Sequence, residues 1–153
     1  MRVRHAEGRR HIRSQPDLSW DAIVIDAFLG ACIPGALVTV EAFLDSARVA
    51  PLTLVNVVDG RTAREVAAVA SSIALAYPSV WALGQRVGNT IVAGYAAGLG
   101  PDLAAIAARL AADRSPARLV PADRVQRMIA ATPPLRDVGL SAAAGRRSEA
   151  VRS

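Results

Sequence analysis

The sequence predicts an α/β protein whose mostly parallel sheet ends in a C-terminal antiparallel hairpin. Three observations predict it. Two runs, Ala22 to Ile25 and Leu52 to Val58, are almost continuously apolar and rich in β-branched residues, as in strands buried on both faces. A segment with helical spacing, Thr39 to Val49, joins them, which calls for a right-handed crossover between parallel strands. A second helical segment, Thr62 to Tyr77, leads to two closely spaced strand-like runs, Val80 to Leu83 and Thr90 to Ala93, the spacing of a hairpin.

Each element has a local reason. Arg2 to His5 reads as a short strand, and the polar stretch after it has room for one helical turn before Pro16. The loop "GACIPG" follows the first apolar run and is marked by Gly30, Pro34 and Gly35. Thr39 is a candidate N-cap, with Val40, Phe43, Leu44 and Ala47 on one face of its helix. Pro51 ends that helix, and Asp59-Gly60 closes the second strand. Thr62 and Glu65 have the form of a capping box, ahead of Val66, Val69, Ala70, Ile73 and Tyr77 at helical spacing. "QRVGN" makes the turn between the last two strands. Asp102 to Ala112 and Ala122 to Ala131 read as helices, started by Asp102 and Pro121. Three regions are expected: a core over 1–97, a helical extension over 98–138, and a disordered tail over 139–153.

Composition narrows the function classes. The chain has 153 residues, 52% hydrophobic, enough for one domain with a real core. Aromatics are only 4%, so that core is built from Ala, Val, Leu and Ile. The net charge is +5 and every basic residue other than histidine is Arg, clustered towards the two ends. No basic stripe interleaved with aromatics is visible, which argues against nucleic acid as a partner. A single cysteine, Cys32, excludes an internal disulfide and suits a reducing compartment. No export signal and no apolar run of membrane-spanning length is present, so a cytoplasmic protein with no membrane partner is expected.

Asp26 is the residue that raises a functional question. It ends the first apolar run, where open α/β sheets bind their ligands, and Asn56 and Asp59 hold the matching place in the second. A carboxylate there could accept a proton from an amine or hold a cation; equally, it could only tie down the loop through backbone amides. The other reactive residues carry less. His5 and His11 have no partners at metal-ligand spacing, so no metal is expected. Cys32 has no histidine placed to activate it, and Ser71-Ser72 lack a nucleophile-elbow setting. Trp20 and Trp81 read as packing residues, though an aromatic could also stack on an adenine. Arg61 and Arg64 read as a solvated helix face.

The stretch "WDAIVIDAFLGACIPGALVTVEAF", followed by "LTLVNVVDG" and "RVGNTIVAG" and preceded by "VRHAEGR", resembles the C-terminal half of spermidine-synthase-like proteins, which have the class I S-adenosylmethionine-dependent methyltransferase fold. The resemblance rests on the order of Asp26, Pro34, Thr39, Glu41 and Phe43 and covers most of residues 2 to 95. It implies an incomplete Rossmann-like methyltransferase fold that lacks the first two strands. Its remaining strands would stand in the order four, five, seven, six, with "RVRH" left unpaired as strand three. It implies that Asp26 is a general base for an amine attacking decarboxylated S-adenosylmethionine. It also implies a nucleotide site, for S-adenosylmethionine or its decarboxylated form, formed by Glu7, Gly8, Asp26 and Ala27. Two departures stand out. Leu29 occupies the place of a second, amine-gripping acid, and no glycine-rich turn or ribose-binding acid precedes Asp26. The expected chain is therefore a fragment of an aminopropyl- or methyl-transferase, inactive alone, partnered by a second copy or a complementing N-terminal half and, if active, by a small-molecule amine. The alternative is a non-catalytic α/β interaction module that pairs through its open sheet edge.

Overall fold

The computed structural model describes residues 5–30, 33–59, 63–85, 88–113 and 116–138. Among the described residues five strands form one sheet: β1 (Ile23–Ile25), β2 (Leu52–Asp59), β3 (Ser79–Gly84), β4 (Gly88–Tyr95) and β5 (Arg118–Leu119). Five α-helices accompany them there, α1 (Gly8–Arg13), α2 (Val40–Val49), α3 (Arg64–Ile73), α4 (Leu103–Ala112) and α5 (Ala122–Ala131), with a short 3-10 turn at Gly35–Leu37. The α/β class and the C-terminal antiparallel hairpin are as expected.

The balance of strand directions is not. β1 pairs parallel with β2, in the register Ile25 to Val55, and every other pair is antiparallel. The strand order is β1-β2-β4-β3-β5. β1, β2 and β3 all run the same way, as helical crossovers require. But the return strand of the hairpin, β4, slots between β2 and β3, and so turns what would be a parallel neighbour pair into two antiparallel ones. The expected "mostly parallel" sheet is thereby corrected, while the order four, five, seven, six matches β1 to β4. β5, which no periodicity marked, adds a further strand beside β3.

One face of the sheet carries the core. Ile23, Ile25, Val55, Val57 and Val92 are buried with Phe43 and Val49 of α2 and Val66, Val69 and Ile73 of α3. Thr39 caps α2 through the Ala42 amide, as its position suggested, and Ser46 bonds back to the Ala42 carbonyl inside the core. Leu44, expected on the buried face, is half exposed; Ala42, Ser46 and Val49 are buried instead, one notch round the helix. α3 lies so close to β4 that a Cβ at Gly94 would stand 2.7 Å from the Tyr77 ring and 2.8 Å from Ile73. The Tyr77 hydroxyl is satisfied there by Thr53 at 2.7 Å and by the Ala50 carbonyl at 3.1 Å. Burial pushes that phenol up from its ordinary value.

Some boundaries differ. α3 covers Arg64–Ile73 rather than Thr62 to Tyr77, and its N-cap is Ala63, in a left-handed conformation with φ 52°. Thr62, Cys32, Arg61, most of "RVRH" and the segment from Gly139 lie outside the described residues; His5 is described and is not in a strand. The strand expected over Ala22 to Ile25 is buried on one face only: Val24 is 70% exposed. An apolar run cannot reveal this, because burial depends on what covers the second face, and no described helix packs there against β1. The closing segment is tied back by Leu135, whose N–H donates to Ser72 Oγ and whose carbonyl accepts from Val40 N–H. α5 packs on α3 and buries Val125.

Candidate functional site

Because β1, β2 and β3 are co-directional, their C-terminal ends share one rim. Asp26 follows β1 directly on that rim. The parallel register that pairs Ile25 with Val55 sets Asp26 beside Asn56 of β2. Asn56 Nδ2 donates to Asp26 Oδ1 at 2.9 Å, the one hydrogen bond that the Asp26 side chain makes among the described residues. The carboxylate is exposed, so its other oxygen can meet a solute. Asn56 Oδ1 is buried and meets no hydrogen-bond partner among the described residues.

The surroundings are apolar. Val24 lies two residues before Asp26, Phe28 is partly exposed, and Leu29 is 79% exposed. An aliphatic side chain at 29 offers no charge to an ammonium group. Ala27 is half-buried in the loop that follows.

Glu7 and Gly8 lie at the start of α1. Glu7 is the N-cap of α1, and its two carboxylate oxygens accept from the Arg9 and Arg10 amides at 3.0 and 2.7 Å. Those backbone donors, Arg10 first, hold its carboxyl below the ordinary carboxylate range. Gly8 opens α1, with Leu37 as the nearest side chain to a Cβ there. A cavity of about 410 Å³ beside Glu7 is lined by His5, Ala6, Glu7, Arg10, His11 and Ser14. The structure thus brings Asp26 and Asn56 together at the end of β1, and Glu7 and Gly8 together at the start of α1. Trp20 packs against the core, with its ring 5.7 Å from that of His11, and Trp81 is buried in β3 with its indole N–H unpartnered among the described residues. Among the described residues no three of His, Cys, Asp or Glu cluster as metal ligands, and no helix is long and apolar enough to cross a membrane.

Sequence reasoning placed Asn56 at the strand end; its bond to Asp26 needed the register. The one signal was a polar residue inside "LTLVNVV".

No protein-family model and no curated protein matches the chain. Among solved structures, it is similar to the crystal structure of a probable spermidine synthase from Corynebacterium glutamicum ATCC 13032, with a TM-score of 0.75 and 23% sequence identity. The similarity covers 88% of this chain and 53% of that one, so the chain spans about half the length of that relative. With its strand order, its hairpin and this match, the chain has a spermidine-synthase-like fold.

Proposed function

We propose that the chain carries the acceptor side of a spermidine-synthase-like transferase, with Asp26 as the general base. The observation that supports this most directly is an exposed carboxylate on the C-terminal rim of co-directional strands, with one oxygen held by Asn56 and the other open. In the reaction this reading implies, decarboxylated S-adenosylmethionine, the relative of S-adenosylmethionine that the fold suggests, supplies an aminopropyl carbon bonded to a positive sulfur. The amine nitrogen forms the new C–N bond, the C–S bond breaks with its electron pair going to sulfur, and Asp26 takes the proton released from nitrogen. Ala27 backs the carboxylate in the loop, and Glu7 and Gly8 belong to the nucleotide side. The 153 residues contain no glycine-rich strand-turn-helix, so by themselves they do not complete the transfer.

Calorimetry with decarboxylated S-adenosylmethionine and with S-adenosylmethionine tests the reading. Binding tighter than about 1 mM, about 4 kcal/mol, supports it. Asp26→Asn should then retain nucleotide binding but lose the added affinity for an amine. A stable dimer with no nucleotide affinity would instead favour a non-catalytic module that pairs through its open sheet edge. The exposed apolar residues Val24 and Leu29 at that edge favour this second reading.

A further inference from the structure

The C-terminal rim has a second concave region, at the edge of the sheet opposite Asp26. β1 and β5 are the two outer strands, four strand spacings apart, or roughly 19 Å at about 4.8 Å each. A cavity of about 370 Å³ opens where the start of α3, the facing ends of β3 and β4, and the junction of β5 with α5 meet. Val66, Leu119, Val120 and Met128 give it an apolar lining, and Arg118 and Arg124 give it charge. A neighbouring cleft of about 630 Å³ shares Ala63, Arg124 and Met128 and adds Arg64 and Arg127.

Among the described residues, four arginines line the two adjoining concavities and no Asp or Glu does. Arg127 is paired with Asp123 on its own helix. Arg64 and Arg124 have no acidic partner among the described residues. Arg64 and Arg124, so placed in a hollow, focus positive potential there and draw anions in. Guanidinium forks match phosphate and carboxylate oxygens in pairs.

The walls are built to keep the space open. A Cβ at Gly84 would stand 2.4 Å from Thr90 Oγ1, so only glycine fits beside that buried threonine. Ala63, which lines both concavities, holds a left-handed φ of 52° without being glycine, a strain of the kind that concentrates at binding sites. The volume is at the lower end of small-molecule sites, and no aromatic residue lines either hollow among the described residues. A nucleic-acid strand would want stacking rings and a longer groove.

We propose that this hollow binds a small organic anion, a phosphate monoester or carboxylate carried on a compact apolar body. The site is independent of the reading of Asp26, since no residue is common to both. The test is titration of the full chain with phenyl phosphate, benzoate and inorganic phosphate, followed by calorimetry and backbone amide shifts. Saturable binding is expected, with shifts among the described residues confined to 63–67, 84–85, 88–90 and 118–128. Arg124→Gln should weaken it about ten-fold, as loss of a charge-assisted pair implies. Arg109→Gln on the exposed α4, with the same change in net charge, should leave it unchanged. Phenyl phosphate binding more tightly than benzoate identifies a phosphate site, and the reverse a carboxylate site; both exceed inorganic phosphate if the apolar lining is used. Arg124 is exposed, so thermal unfolding of the variant should match the wild type. Equal weakening by both substitutions, shifts spread over other surfaces, or tighter binding of a single-stranded oligonucleotide would overturn the proposal.

Discussion

Replacing Asp137 should loosen a clasp that joins the two ends of the described chain. Arg9 and Asp137 are 128 residues apart, yet Arg9 Nη1 donates to Asp137 Oδ1 at 2.6 Å. The same oxygen accepts from Thr39 Oγ1 at 2.8 Å, and the Asp137 amide donates to Glu41 Oε2 at 3.2 Å. The Arg9 side chain is 11% exposed and that of Asp137 is 38% exposed. Removing one partner of a fully buried pair costs about 3–5 kcal/mol, whereas an exposed pair contributes about 0–1 kcal/mol. Here the cation is buried and the acid is not, and Asp45 remains 3.6 Å from Arg9 Nε as a second counter-charge. Asp137→Ala should therefore cost about 2 kcal/mol, between those limits, as read from urea denaturation at pH 7.

The pH dependence has a definite sign. The Arg9 hydrogen bond holds the Asp137 carboxyl below its ordinary value of 3.8. A carboxyl depressed in the folded state adds stability that is fully present above its unfolded pKa. That stability is lost as pH falls through the folded value. Wild type should thus lose stability more steeply than Asp137→Asn once pH drops below about 4. Asparagine keeps an acceptor for Thr39, so a smaller loss at pH 7 is expected than for alanine. If Asp137→Ala stays within about 0.5 kcal/mol of wild type, or Asp137→Asn keeps the wild-type slope in acid, the clasp does not carry the energy assigned to it.

Two further outcomes follow from the core. Gly94→Ala should destabilise by about 1–3 kcal/mol, because its Cβ must displace Tyr77 or Ile73 from the face of β4; an unchanged melting temperature would show that α3 stands farther off. Tyr77→Phe should cost about 1–2 kcal/mol in urea denaturation, since it strands the Thr53 hydroxyl and the Ala50 carbonyl; a neutral result would mean water replaces the phenol there.

Local chemistry made much of the fold legible. Thr39 as a helix cap, Asp102 ahead of α4, and the span of α5 follow from side chains within a few residues of one another. The two apolar runs identified β1 and β2, and the close spacing of the next two runs identified the hairpin. Asp26 stood out because a carboxylate ends an apolar run, which is visible without coordinates. Apart from the bounds of α3, where Ala63 rather than Thr62 is the N-cap, the main failures are non-local. That β4 enters between β2 and β3 depends on pairings many residues apart, as does the two-residue β5, too short to show a period. Leu44 and Leu29 have the same chemistry as buried leucines, and nothing nearby tells which face a helix or loop turns outward.

By itself, the sequence determined the α/β class, the order of the first four strands and the helices between them, the caps of α2 and α4 and the candidate base at position 26, because propensity and periodicity act over one or two turns of chain. Only the tertiary structure decided which strands touch, that Val24 faces outward, that Asn56 grips Asp26, and that Arg9 meets Asp137. Those outcomes depend on strand register and on which layers meet, where contacts between distant residues set the energy.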